Sequence, residues 1–475
     1  MITKTAWKNV WRNKTRSLVV ITAVTIGIFA GVFAVGVMNG AIDQRIDSAI
    51  DNEISHIQIT AKGFRLNNEP GSYLTDVRSL KDSISAIEEV QAVCDRLFVV
   101  GMASTARKST GVNIIGIDPA GEKEVFNLHN ELEPGMGNYF GGEKGSYSVY
   151  MGKELAKELN VIRYGMNDDI IDELRSSGIP EGILSELSSF SGNRFSSEKD
   201  FKKKMRSVLT EEQEAEYGRS LIEAASDFSE RARVVFTFVD MNNTQTGGVF
   251  RTRGVYDIPN SMFEKRYVFT RKAVLRSLAG FPENTAHKVI IRLHDIDDTK
   301  KVSKKLRADY PGLEVLSWRD IQPDLALTSE MAEAIYGLFM VLILAALAFG
   351  IVNTMLMVVL ERTKEIGMLT AIGMNKKKVF RMIMTESVFL SLIGGVAGMA
   401  ISWIVIRLTS EKGINFRSME EGFEALGYSA HIYPDIGPDF FLIVTGLIII
   451  TGILSSVYPA IKALKLDPAD ALRTE

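Results

Sequence analysis

The sequence predicts an α-helical integral membrane protein with four transmembrane helices and a large α+β extracytoplasmic domain between helices 1 and 2. Two observations carry this. Leu18–Ile42, Ala334–Leu360, Ser387–Ile406 and Phe440–Ile461 each run without a charged residue. About 20 apolar residues in a helix cross the hydrocarbon of a bilayer. Between the first and second runs lies a long polar stretch with strand-like alternation. A mean hydropathy of +0.07 conceals the split between apolar ends and polar middle. The expected spans are 18–42, 334–360, 381–408 and 439–461. The segments around them are 1–17, 43–333, 361–380, 409–438 and 462–475.

Charge orients the spans. Met1–Ser17 holds Lys4, Lys8, Arg12, Lys14 and Arg16 and no acid, and Glu361–Arg381 is also net basic. Lys and Arg beside spans stay cytoplasmic. Both termini and the 361–380 loop are therefore expected inside, and the middle domain outside. The whole chain has a net charge of −3, so no global field points to nucleic acid. The first apolar run is longer than the h-region of a signal peptide, which favours an uncleaved anchor. The lone Cys94 cannot form an intramolecular disulfide and reads as a small buried apolar residue.

Residues 1–17 read as an amphipathic helix on the membrane surface. Trp7 and Trp11 share a face, Lys4, Lys8 and Arg12 another, and indole and basic groups both favour the headgroup zone. The first span carries Gly27 and Gly31, and the third Gly394 and Gly398, spacings that let helices approach closely. In the outer domain, residues 56–60, 112–117, 148–151, 234–239, 248–256, 267–270 and 289–293 alternate as strands do. Helices fit 79–88, 152–159, 271–278 and 297–310. Residues 167–230 are charged and strand-poor and read as a helical insert. Thr210 to Gln213 matches a capping box there.

Enzyme chemistry leaves no signature. GxxxxGK[ST], HExxH and GxSxG are absent. The nearest approach to a phosphate-binding loop, Gly116–Lys123, has Glu122 where the lysine is required. His56, His129, His287, His294 and His431 are scattered. No metal or cofactor site is expected. Ionisable groups are missing from mid-membrane depth, which argues against an ion-driven transporter.

The informative segment is the inner loop. Ile366, Leu369 and Thr370 fall on one helical face, and charge gathers in the turn before them. Gly373 is placed to end the helix. An apolar helical face outside the bilayer has to be buried. It packs either on its own membrane helices or in a groove of a cytosolic partner.

Residues 361–399 resemble the signature of FtsX/MacB-type ABC permeases: Glu361-Arg362, then Glu365-Ile366-Gly367, then Leu369-x-Ala371-x-Gly373, with a glutamate and a glycine-rich stretch in the next helix. The close, with Pro459-Ala460, Leu466-Asp467-Pro468 and Ala471-Leu472-Arg473, and the opening AWKNVWRNKTRS are similar to the same family. In the outer domain, residues 152–161 and 250–263 look like the lipoprotein-releasing LolC/LolE branch. Residues 167–230 depart from that pattern.

The resemblance implies a MacB-like periplasmic core for 43–333 and a non-catalytic permease of the bacterial inner membrane. It implies a separate cytosolic ABC ATPase as partner, since MacB-type chains usually carry a fused ATPase and this chain starts at its first span. ATP and Mg are expected in that partner and no cofactor in this chain. It also implies a second permease, identical or related. On this reading Glu361, Glu365, Ile366, Gly367, Leu369 and Gly373 couple to the ATPase. Ile366 and Leu369 fill its groove, and the two glutamates pair with its basic rim. Lipoprotein release to a periplasmic carrier is the first function expected. MacB-like efflux of peptides or toxins, and FtsX-like activation of a cell-wall hydrolase, are alternatives. So is a plain membrane-anchored binding protein.

Overall fold

The computed structural model describes residues 2–106, 108–140, 146–176, 179–195, 198–228 and 232–465. Leu466-Asp467-Pro468, Ala471-Leu472-Arg473 and most of the 462–475 tail lie outside the described residues. The chain divides into two units. One comprises 1–44, 327–420 and 429–475, the other 45–326 with 421–428.

The first unit is helical. Its elements are α1 (Ile2–Arg12), α2 (Lys14–Ser48), α3 (Pro323–Glu361), α4 (Thr363–Ala371), α5 (Lys376–Lys412) and α6 (Pro438–Leu464). α2, α3, α5 and α6 are long and apolar enough to cross a membrane. Each runs past the apolar stretch that marks it, because its polar ends continue the helix. The amphipathic segment expected over 1–17 does not run through. It breaks at Asn13, where the backbone bends, and Lys14–Ser17 already belong to α2. The Ser17 hydroxyl donates to the Val10 carbonyl at 2.5 Å and fastens that bend.

Small residues set the distances between spans. A Cβ on Gly394 would lie 2.9 Å from the Ile21 carbonyl oxygen, and one on Gly398 would lie 2.7 Å from that of Thr25. At that separation α2 and α5 touch backbone to backbone. Thr25 donates to the Gly394 carbonyl and Ser402 to that of Phe29 across the same seam. Gly27 and Gly31 face α3, against Leu347 and against Met340 with Ile343. Span 1 therefore meets α3 through its own glycines and α5 through the glycines of α5.

The second unit is built on a ten-stranded sheet. Its strands are β1 (Ile57–Ala61), β2 (Val90–Ser104), β3 (Ser109–Ile117), β4 (Leu132–Gly137), β5 (Ser148–Gly152), β6 (Arg233–Val239), β7 (Gln245–Tyr256), β8 (Tyr267–Arg271), β9 (Lys288–Leu293) and β10 (Leu313–Ser317). Six of them close a ring in the order β2–β3–β8–β5–β7–β6 and back to β2. Full closure removes free strand edges. From β2 the sheet continues through β9 and β1 to β10. β2 thus serves both the ring and its extension, which is why it is 15 residues long.

One face of the ring strands contributes Leu97, Val99, Ile114, Met151, Phe236, Phe238 and Phe250 to a buried cluster. Ile171, Leu174, Ile183, Leu184 and Leu187 of the 167–230 segment belong to the same cluster. That segment forms four helices, Asp168–Ser176, Glu181–Ser188, Glu198–Met205 and Glu211–Ala225. Thr210 and Gln213 cap the last reciprocally. It is not helical throughout: Arg194–Phe195 and Ser226–Phe228 pair with Ile162–Gly165 as a small sheet.

Candidate functional site

The α3–α5 hairpin is assembled from short-range signals. α3 ends at Glu361, Arg362 turns the chain, and α4 follows from Thr363. α4 closes at Ala371 with Gly373 at φ +94°. The Met374 N–H bonds the Leu369 carbonyl at 2.9 Å. This is the 6→1 closure of a helix end that needs a left-handed residue after the cap. Asn375 then caps α5 by accepting from the Lys377 N–H.

α4 presents two different faces. Ile366 is 6% exposed and joins the core formed by α2, α3, α5 and α6, with Val359, Val379 and Ile383. Gly367 is buried beside it and Leu369 half-buried. The solvent face carries Met368, 51% exposed, and Ile372, 78% exposed. Of the two burial sites open to the apolar face read from the sequence, Ile366 takes its own membrane helices. The apolar side chains of this segment left open to solvent are Met368 and Ile372, with Leu369 between the two faces.

The two glutamates are likewise engaged within the chain. Arg16 ion-pairs with Glu361 and Arg12 with Glu365. Arg362 donates to Glu365 at 3.1 Å and reaches Glu386 of α5 at 3.4 Å. The hydrogen bond from Arg12 is the largest influence on Glu365 and, with the smaller help of Arg362, holds its carboxyl below the usual carboxylate range despite partial burial. These six side chains, with Asn9, Asn13, Ser17 and Thr354, line a cavity of about 240 Å³ whose apolar wall includes Met355, Val358 and Leu390.

Sequence reasoning missed this network, although a signal was there. Arg12 and Arg16 are four residues apart, and so are Glu361 and Glu365. Each pair brackets a helix break, and the two cross-link antiparallel, Arg12 to Glu365 and Arg16 to Glu361. Trp7 and Trp11 are half-exposed. Trp7 stands edge-on to Trp11 and to Phe389 of α5, with centroids 6.0 and 5.6 Å apart. α1 is thus seated on the third span through Trp7, with Ala6 and Val10 buried.

Glu122, which spoils the phosphate-loop string, is buried and ion-paired with Arg96 in the second unit. Burial pushes the neighbouring Cys94 thiol well up, with the Glu122 charge second. Among the described residues no group of His, Cys, Asp and Glu is placed to hold a metal ion.

Two family models match. Residues 17–185 match the MacB-like periplasmic core domain and residues 337–468 the FtsX-like permease C-terminal domain. A lipoprotein-releasing system transmembrane protein LolC from Xylella fastidiosa is 25% identical over 39% of this chain and 46% of its own length. A macrolide export ATP-binding/permease protein MacB from Bdellovibrio bacteriovorus is 28% identical over 45% of this chain and 29% of its own. The chain thus spans less than half the length of these curated relatives. The solved periplasmic region of MacB from Actinobacillus actinomycetemcomitans aligns over 60% of this chain and 98% of its own at 9% identity and a TM-score of 0.31. With a periplasmic-core match that runs from the first span to residue 185 and an FtsX-like match over the last three spans, the chain belongs to the FtsX/MacB-type ABC permeases.

Proposed function

We propose that this permease, seated in the bacterial inner membrane with both termini and α4 in the cytoplasm, converts ATP hydrolysis by a separate ABC ATPase into motion of its periplasmic domain. ATP and Mg bind the ATPase, and this chain performs no catalysis. A second permease, identical or related, completes the assembly. Trp7 and Trp11 anchor α1 at the lipid surface.

The observation that carries the reading is the two-sided α4 helix. Its inner face is fixed into the span core by Ile366, while Met368 and Ile372 offer apolar surface next to two spans. A partner groove that covers those two side chains can push on the spans through a rigid connection. Glu361 and Glu365 hold the hairpin in place rather than contacting a rim.

Within this reading the cargo is a lipid-anchored protein, released from the membrane to a periplasmic carrier. The LolC/LolE-like stretches at 152–161 and 250–263 and the LolC relative support it. Export of a small molecule or peptide is the second reading, favoured by the MacB relative's match over 45% of the chain.

Purification in mild detergent, with identification of what co-purifies, tests the proposal. An ATPase and a lipoprotein carrier are expected. Ile372→Asp should abolish recovery of the ATPase while leaving the chain inserted. Unchanged recovery would refute α4 as the docking element.

A further inference from the structure

The first span enters the bundle through a break at Asn13, and the second leaves it through a break at Arg362. The charged network joins these two breaks. Arg12 lies on one side of the first break and Arg16 on the other. Glu361 and Glu365 flank the second in the same way. Each arginine reaches a residue about 350 positions away in the chain. Arg362 then ties the second break to Glu386 of α5. The ends of α1, α2, α3 and α4 therefore meet α5 in one set of arginine–glutamate contacts.

One exposed ion pair is worth little. This arrangement differs in three ways. Arg12 and Arg16 each offer two guanidinium nitrogens to two carboxylate oxygens, and forked geometry of this kind fixes orientation as well as distance. Glu386 is buried at the base, so removing Arg362 leaves an uncompensated charge. The pairs also straddle the two points where the helices are interrupted.

We propose that Arg12 and Arg16 are positioning residues that clamp the α1–α2 break to the α3–α4 break, so that displacement of α4 is passed to α1 through Glu365 and to the start of the first span through Glu361 at the end of α3. This rests on α4 receiving the ATPase. The first span is then driven from its start, and α1 is a moving part of the coupling apparatus as well as a surface anchor.

The test uses the full-length chain in lipid nanodiscs, and the Arg16–Glu361 pair, because Glu365 also holds Arg362. Spin labels at Lys8→Cys and Lys364→Cys report the α1–α4 distance without any ATPase. Arg16→Glu and Glu361→Arg alone should each broaden and lengthen that distance. The double swap should restore it. If neither single reversal changes it, or the swap does not restore it, the clamp is refuted whatever the ATPase does.

A fluorophore at Met38→Cys, toward the far end of span 1, reports transmission once ATPase and ATP are added. Its ATP-dependent change should be lost in either single reversal, while the ATPase still co-purifies, and return in the swap. A signal that persists in the single reversals overturns the transmission route. Failure of the unmodified chain to recruit an ATPase overturns the proposed function instead, and the distance measurement alone then judges the clamp. Arg12→Gln and Arg16→Gln together provide a milder variant, expected to give the same loss should a reversal fail to fold.

Discussion

At the scale of single residues, two histidines contribute to the acid response of the outer unit. His56 and His287 are both buried. In each, Nδ1 accepts a backbone N–H at 3.1 Å, from Leu293 and from Phe98. Protonation would turn that acceptor into a donor facing a donor. Burial is the leading cause that lowers both imidazoles from the usual 6.5 to about 4. The unfolded chain takes up protons as pH falls through 6.5, and the folded chain does not until about 4. Their contribution to stability is therefore full above 6.5 and declines between 6.5 and 4, by up to about 3 kcal/mol per imidazole. Thermal unfolding of the chain at graded pH should show that slope, and His56→Gln with His287→Gln should flatten it. In the sequence these side chains read only as scattered histidines, because the backbone donors that fix them come from strands far along the chain.

At the scale of elements, contact between spans depends on backbone proximity at Gly394 and Gly398. Gly398→Val would drive a side chain into the Thr25 carbonyl and Ile28. It should cost about 1–3 kcal/mol, the usual range for overpacking. Gly446→Ala, where a Cβ meets nothing within 4 Å, should be neutral. Thermal aggregation of the detergent-purified protein distinguishes them. The glycine spacing was legible in the sequence because it is local, as were the four spans and the strands with clean alternation. β2 was not legible. Its run Val90-Gln91-Ala92-Val93-Cys94-Asp95-Arg96-Leu97-Phe98-Val99-Val100 does not alternate, since it passes from one sheet into the ring and is covered on both faces near the crossing. β4 and β10 were missed as well. The first is rich in glycine and holds Pro134, and the second sets Val315 and Leu316 side by side, which breaks its alternation. For the candidate site, the sequence identified α4 and its terminating Gly373. It could not tell which side of a nine-residue helix would face inward, because Ile366, Leu369, Met368 and Ile372 differ little in hydrophobicity. Position relative to the spans decides that.

At the scale of the molecule, the outer unit has its own closed ring and its own buried clusters. A part of this kind folds alone. Residues 45–326 expressed without the spans should be soluble and unfold in a single cooperative transition, followed by circular dichroism. Loss of cooperativity would mean that the spans are needed to complete it. One feature of this unit governs how it responds to load. The strand that follows span 1, β1, and the strand that precedes span 2, β10, are antiparallel neighbours over five residue pairs. Pulling both chain ends from that one side would unzip them a rung at a time, which takes little force. Pulling one end while the far side of the sheet is held would strain all rungs together, which takes much more. The domain is thus a one-way mechanical fuse, stiff to a stroke along its strands and soft to a parting of its two legs.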